Sequence, residues 1–278
     1  MMPKEKEALV KENLCAVKYP IMLVHGIGYC DTDHSRYWGR IPQFLQEHGA
    51  KVYFGNQPAF GKVVENAYRL KQSVQKALED SGADKLNLIA HSRGGIEARY
   101  LISQLGMEEN IASLTTLATP HRGVATMDAV KEKRNFLYKG LIRVFNRMLV
   151  ADGKQKNKAL DIYEQFTEDY MTVFNQLVLD AEDVFYQSYA FDMKNVKSDP
   201  SMGIFYKIIK KHEGVNDGLV PAESCKWGEF QGVVSLPGKY GISHPRAADS
   251  HPMKPAKESF CIAELYGEIA ENLKKRGF

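Results

Sequence analysis

The segment Leu86-Asn87-Leu88-Ile89-Ala90-His91-Ser92-Arg93-Gly94-Gly95 constrains this chain more than any other. Leu86 to Ala90 reads as a buried strand, and Gly94 to Leu105 reads as a helix that stops at Gly106. A strand that enters a helix within a few residues must turn sharply, and this turn is centred on Ser92. A residue held in such a turn adopts a strained backbone, and the positions two before and two after it must be small to avoid collision. Those positions are Ala90 and Gly94. Ala90 stands where glycine is more usual, while the strand and helix on either side supply the context the motif needs.

The same alternation runs along the chain. Ile21 to Val24, Val52 to Phe54, Leu114 to Ala118, Val184 to Ala190 and Gly232 to Ser235 are further strand candidates. The first is apolar at every position, as befits a strand buried on both faces. Val63, Ala67, Leu70, Val74 and Leu78 recur at three- or four-residue steps, which predicts an amphipathic helix that Gly82 ends in a left-handed turn. Phe260 to Lys275 predicts a terminal helix. Strands alternating with helices imply the α/β class, a mostly parallel central sheet flanked by helices. The chain has 278 residues with no internal repeat or low-complexity linker, so one domain over 1–278 is expected.

One stretch interrupts the pattern. From 124 to 182 no strand signal appears, which predicts a helical insertion within the domain. Residues 131 to 158 carry nine Lys or Arg against two Asp or Glu, a net charge of +7, whereas the whole chain is +3 and its remainder therefore −4. Two readings stand side by side. The insertion is either a helical excursion with a solvated basic face, or a lid whose apolar side covers a site and whose basic rim meets an anionic surface.

Composition excludes several classes. With 44% hydrophobic and 26% charged residues the chain has ordinary globular usage, unlike disordered, collagen-like or coiled-coil chains. A net charge of +3 calls for no nucleic-acid partner. No apolar run approaches the roughly 18 residues of a membrane span, and the opening residues lack the apolar stretch of a secretory signal, so a cytoplasmic location is expected. Cys15, Cys30, Cys225 and Cys261 form no Cys-x-x-Cys pair and read as idle or buried thiols. Asp31-Thr32-Asp33-His34 has the residue types of a metal site, but ligands so close along one loop rarely converge, and a loop bordering the site is the expectation. No metal or other cofactor is expected.

A serine hydroxyl becomes a competent nucleophile only when a base removes its proton, so Ser92 requires a histidine and an acid later in the chain, each at the carboxyl end of a later strand. Gly214-Val215-Asn216-Asp217-Gly218-Leu219-Val220-Pro221 offers Asp217 in an Asx-type turn, with Asp192 as the alternative acid. Gly241-Ile242-Ser243-His244-Pro245 offers His244 between the last strand and the terminal helix, with His251 as the alternative base. Negative charge developing on a carbonyl oxygen needs N–H donors already in place. Arg93, the residue after Ser92, supplies one, and Ile27 of His25-Gly26-Ile27-Gly28, directly after the first strand, supplies the other. His91 is not expected as the base, because neighbours at so tight a turn project apart. His25 and His121 are expected to brace loops, and Tyr37 and Trp38 read either as groove lining or as core.

At these residues the chain resembles the bacterial triacylglycerol lipases of the α/β-hydrolase fold. The matching pieces are Pro20-Ile21-Met22-Leu23-Val24-His25-Gly26-Ile27-Gly28, the Ser92 segment continuing into Ala98-Arg99-Tyr100, Thr119-Pro120-His121-Arg122-Gly123, Phe174-Asn175 followed by Tyr186-Gln187-Ser188-Tyr189-Ala190, and Asn216-Asp217-Gly218-Leu219-Val220-Pro221. The resemblance implies hydrolysis of acyl esters of glycerol through an acyl-enzyme, with Ser92, Asp217 and His244 as the triad, Ile27 and Arg93 as oxyanion donors, and a lid where 124–182 lie. It also implies a departure. Several such lipases hold a structural calcium through an Asp two residues past the catalytic His, and that position here is Arg246, which cannot ligate calcium. Asp249 would replace it only in a rearranged loop. The alternatives are an intracellular acyltransferase or thioesterase, a short-chain carboxylesterase, and a non-catalytic binding version of the fold.

Overall fold

A computed structural model describes residues 13–28, 37–126, 164–250 and 261–278. His251, Cys30, the 31–34 cluster and the basic stretch 131–158 lie outside the described residues. Six strands form one parallel sheet: β1 (Ile21–Val24), β2 (Val52–Phe54), β3 (Leu86–His91), β4 (Ile111–Leu117), β5 (Phe185–Phe191) and β6 (Glu229–Val234). Their order is β2-β1-β3-β4-β5-β6, so the chain starts inside the sheet, steps to one edge, crosses back over β1 and then adds strands in sequence order.

Alternation along each strand builds two apolar layers, because successive side chains point to opposite faces. Ile21, Leu23, Ile89 and Leu117 face one side, where they pack with Trp38, Ile41, Leu45, Tyr266, Ile269 and Leu273. These come from α1 (Ile41–Glu47), α6 (Ile262–Lys275) and the turn before α1. Met22, Val24, Leu88, Ala90 and Leu114 face the other side and pack with Leu70, Val74, Leu101 and Ile102, contributed by α2 (Val63–Ser81) and α3 (Arg93–Gln104). Two shorter helices, α4 (Glu168–Leu177) and α5 (Gly203–His212), complete the described set. The predicted apolar stripe of α2 is buried at Val63, Ala67, Leu70 and Val74, and Gly82 caps it at φ +70°.

The structure shifts some boundaries. β4 starts three residues before the expected Leu114, because buried Ser113 and Asn87 satisfy each other across the sheet (Ser113 Oγ donates to Asn87 Oδ1, 2.7 Å) and so interrupt the apolar run without interrupting the strand. β6 covers 229–234 rather than 232–235; it is an edge strand whose side chains alternate between exposed and half-buried, and its charged and polar members mask the pattern.

The stretch 124–182 leaves and rejoins the body at one place. Val124 N–H donates to Phe166 O at 2.9 Å. Glu213, just beyond α5, accepts from the N–H groups of Ala125 (3.1 Å) and Thr126 (2.8 Å), and Gln165 Oε1 accepts the Val63 N–H at the start of α2 (2.7 Å). The described part of this stretch beyond those anchors holds α4.

Candidate active site

Ser92 sits between β3 and α3 at φ 58°, ψ −131°, a region that side-chain-bearing residues adopt only under strain. The surroundings enforce it. Ser92 N–H donates to Leu117 O (2.9 Å), and its carbonyl accepts from Thr119 Oγ1 (2.8 Å) and from Gly95 N–H (3.1 Å). A methyl group on Gly94 would stand 2.6 Å from the carbonyl oxygens of both Val24 and His25, so glycine is required there by the approach of β1 and not by its own dihedrals. Ala90 is fully buried in the sheet.

His244 lies in the connection between β6 and α6, and its Nε2 stands 2.8 Å from Ser92 Oγ. Its other ring nitrogen, Nδ1, stands 2.7 Å from Asp217 Oδ2, and both residues are nearly closed to solvent. The second Asp217 oxygen accepts the N–H groups of Leu219 (2.9 Å) and Val220 (2.8 Å), and the Asp217 carbonyl accepts the His244 N–H (2.8 Å). The carboxylate is therefore locked at both oxygens, and the imidazole is tied to it through ring and backbone. Asp217 departs from expectation in one respect. It does not follow a strand directly but lies in a turn beyond α5, closed by a bridge between Asn216 and Pro221, and reaches the sheet through Met193 N–H, which donates to Asn216 O (3.0 Å). Asp192, the alternative acid, instead accepts the Lys194 N–H at 2.7 Å.

Two further groups converge on Ser92. The 25–28 loop follows β1, and a methyl group on Gly26 would lie 2.8 Å from Ser92 Cβ, so that loop abuts the serine. Among the described residues no acceptor is paired with the backbone N–H of Ile27 or of Arg93. Donors left open beside a hydroxyl that a histidine contacts are what an oxyanion requires.

The Arg93 side chain has its own task, which the sequence pattern left unread. It is fully buried, with Nε 2.7 Å from Glu97 Oε1 and one terminal nitrogen donating to the Pro58 carbonyl (3.0 Å). Glu97 also accepts from Asn66 Nδ2 (2.7 Å) and Gln57 Nε2 (3.1 Å), while Gln57 donates to His25 O (2.8 Å). Burial pushes the Glu97 carboxyl up and the Arg93 guanidinium down, and each partner opposes the shift of the other. The network fastens the 57–61 loop to the 25–28 loop. The i, i+4 spacing of Arg93 and Glu97 at the start of a core-facing helix is the signal that exposes it in the sequence.

Other candidates resolve plainly. His25 lies with Nδ1 2.7 Å from Gly26 O and Nε2 2.9 Å from Gln57 O, and His121 with Nε2 2.9 Å from Thr116 Oγ1, so both brace loops. Trp38 is wholly buried and Tyr37 nearly so, both within the core. Arg246 donates to the Gly241 carbonyl (3.2 Å), and both oxygens of Asp249 are bound by Arg40. Cys15 and Cys225 are buried, and burial pushes the Cys15 thiol up to about 11. Among the described residues no three His, Cys, Asp or Glu side chains cluster as metal ligands, and no helix is long and apolar enough to cross a membrane.

A parallel sheet in this order, with a strained serine between its third strand and the following helix, defines a doubly wound α/β scaffold of the hydrolase type. The chain belongs to the α/β-hydrolase fold family, whose profile matches residues 19–177, more than half of its length. It is 36% identical over 217 residues to triacylglycerol lipase 2 of Saccharomyces cerevisiae, an alignment covering 74% of this chain and 61% of that one. It is 36% identical over 136 residues to triacylglycerol lipase of Burkholderia plantarii, covering 47% and 37%. The chain thus spans less than two thirds of these relatives. Triacylglycerol lipase of Pseudomonas fragi aligns over 94% of this chain and 97% of its own at 24% identity. Among solved structures, lipase 1 from Pelosinus fermentans shares the fold with a TM-score of 0.66 at 18% identity, covering 93% of this chain and 99% of that one.

Proposed function

We propose that this chain hydrolyses carboxylic esters of fatty acids, acylglycerols among them, through Ser92, His244 and Asp217. The observation that carries the reading is the continuous contact from Asp217 Oδ2 to His244 Nδ1 (2.7 Å) and from His244 Nε2 to Ser92 Oγ (2.8 Å), ending on a strained serine. The names of the relatives support the ester-hydrolase class and make acylglycerols the first substrate to test.

In the proposed reaction His244 Nε2 takes the Ser92 proton as Oγ attacks the ester carbonyl, and the Ile27 and Arg93 N–H groups bind the oxyanion. Collapse of the tetrahedral intermediate expels the alcohol, which takes the proton back from His244. Water then repeats the sequence on the acyl-enzyme and releases the fatty acid. Asp217 stays ionised, holding the imidazole in the tautomer with its proton on Nδ1 and stabilising the imidazolium.

The insertion at 124–182 belongs to the same proposal as a cover that meets lipid, on the strength of its net +7 charge over 131–158 and of the anchors at both its ends. Activity on emulsified triglyceride is then expected to rise at the solubility limit, whereas a preference for soluble short-chain esters with no such rise reassigns the protein as a carboxylesterase. Ser92→Ala is expected to lower kcat on a soluble nitrophenyl ester by about 10⁴- to 10⁶-fold with the fold intact by circular dichroism. Wild-type rates in that variant would refute the assignment.

A further inference from the structure

Gly26 poses a problem for any reaction that uses the Ile27 N–H. Space against Ser92 and Tyr37 demands a glycine there, since a methyl group would stand 2.8 Å from Ser92 Cβ and 2.7 Å from the Tyr37 hydroxyl. Glycine also lets the peptides on both its sides rotate at little cost. A flip of the Gly26–Ile27 peptide would point the Ile27 N–H away from the site.

The structure restrains both peptides. Gly26 N–H donates to the Tyr37 hydroxyl oxygen at 2.6 Å, which holds the peptide before Gly26. His25 Nδ1 lies 2.7 Å from Gly26 O. That carbonyl shares a plane with the Ile27 N–H and points the opposite way, so holding the oxygen aims the N–H. One residue further, Gly28 N–H donates to Ala59 O (3.0 Å). Of the backbone donors from Gly26 to Gly28, Ile27 alone has no acceptor among the described residues.

Tyr37 is itself held. Its hydroxyl lies 2.6 Å from His91 Nδ1, and His91 ends β3 immediately before Ser92. Because the phenol oxygen accepts from Gly26, its proton is available to His91 Nδ1. Burial and the proximity of His244, with ring centroids 4.6 Å apart, push the His91 pKa well below 6.5 and keep it a neutral acceptor. The ring of Tyr37 packs edge-on against Trp38 at 4.9 Å, which fixes the position of its hydroxyl.

We propose that Tyr37 and His91 are positioning residues that lock the Gly26 peptide to the strand bearing Ser92 and so keep the Ile27 N–H aimed at the oxyanion. The inference rests on the reading of Ser92 as nucleophile and extends it to what orients the oxyanion loop. The Tyr37 hydroxyl acts through Gly26, whereas the His91 ring also packs against the His244 ring at 4.6 Å, so it is the Tyr37 variant that is expected to retain substrate binding and lose stabilisation of the tetrahedral state.

Tyr37→Phe removes only the hydroxyl and keeps the ring in the core. On a soluble nitrophenyl ester its kcat is expected to fall about 10- to 100-fold with KM within twofold. The Ki of an alkylboronic acid, which forms a tetrahedral adduct on serine, is expected to rise in step with the fall in kcat. His91→Gln, whose amide oxygen can accept from Tyr37, is expected to retain more kcat than His91→Leu. An unchanged kcat, or a fall in kcat with an unchanged boronate Ki, overturns the inference, as does equal damage from His91→Gln and His91→Leu. Failure of the underlying reading looks different: wild-type enzyme would then not bind the boronate, and Ser92→Ala would retain activity.

Discussion

Gly94 shows how much of the site depends on single atoms. An added methyl would meet two backbone oxygens of the β1 end at 2.6 Å, and backbone cannot swing aside as a side chain does. Gly94→Ala is therefore expected to cost about 1–3 kcal/mol, the range for overpacking a well-filled interior, and to lower activity by pushing the 25–28 loop off Ser92. A denaturant melt together with the rate on a soluble ester checks both. The need for a small residue at 94 is legible in sequence because a strand-to-helix turn around a serine brings that position against its neighbours, here the end of β1. The tasks of Tyr37, Gln57 and Asn66 are not, because each depends on partners 11 to 54 residues away that only the assembled sheet brings close. Asp217 and Asp192 differ in the same way: the structure sets Asp217 2.7 Å from His244 Nδ1 and gives Asp192 the Lys194 N–H.

The connection from β6 to α6, which carries His244, is held by elements far from it in sequence. Asp249 is almost fully buried and receives the Arg40 backbone N–H (2.8 Å), Nε (2.9 Å) and a terminal nitrogen (2.8 Å), which fastens the histidine loop to the start of α1. Tyr266 of α6 adds a bond from its hydroxyl to Ala247 O (2.9 Å). Hydrogen bonds to charged groups contribute about 1.5–3 kcal/mol, and Arg40→Ala leaves the buried carboxylate with only the backbone donor. Its melting temperature is expected to fall by several degrees by calorimetry, and kcat to fall with it; Arg40→Lys restores charge without the two-pronged geometry and is expected to recover only part. Two helices carry sequence features that obscure them. α1 carries Pro42, which reads as a breaker but is tolerated in a first turn whose N–H groups have no helical partner. α5 places Ile204, Phe205, Tyr206, Ile208 and Ile209 around most of its circumference, so no clean stripe emerges, although Phe205, Tyr206 and Ile209 are the members it buries.

Across the whole molecule, a parallel sheet delivers the ends of its strands to one rim, and residues as distant as Ser92 and His244 meet there. The alternation of strand and helix predicted this arrangement, since it depends on periodicity along the entire chain and tolerates errors of two or three residues at each boundary. Charge is a property of the same scale. With +7 over 131–158 and −4 over the remainder, hydrolysis of an ester dispersed in anionic vesicles is expected to outpace that in zwitterionic ones at low salt. The gap is expected to close as added salt shortens the screening length towards about 8 Å at 0.15 M. Initial rates across a salt series measure it, and a salt-independent ratio would remove the lipid-facing role from this stretch. The junction where the 124–182 stretch departs adds a last consequence. Val124 and Phe166 are hydrogen-bonded neighbours, so the two points between which the intervening residues run are fixed to each other. The entropy of closing such a loop grows only with the logarithm of its length. A change in the number of residues between those two points is thus expected to leave the geometry around Ser92 largely unaltered.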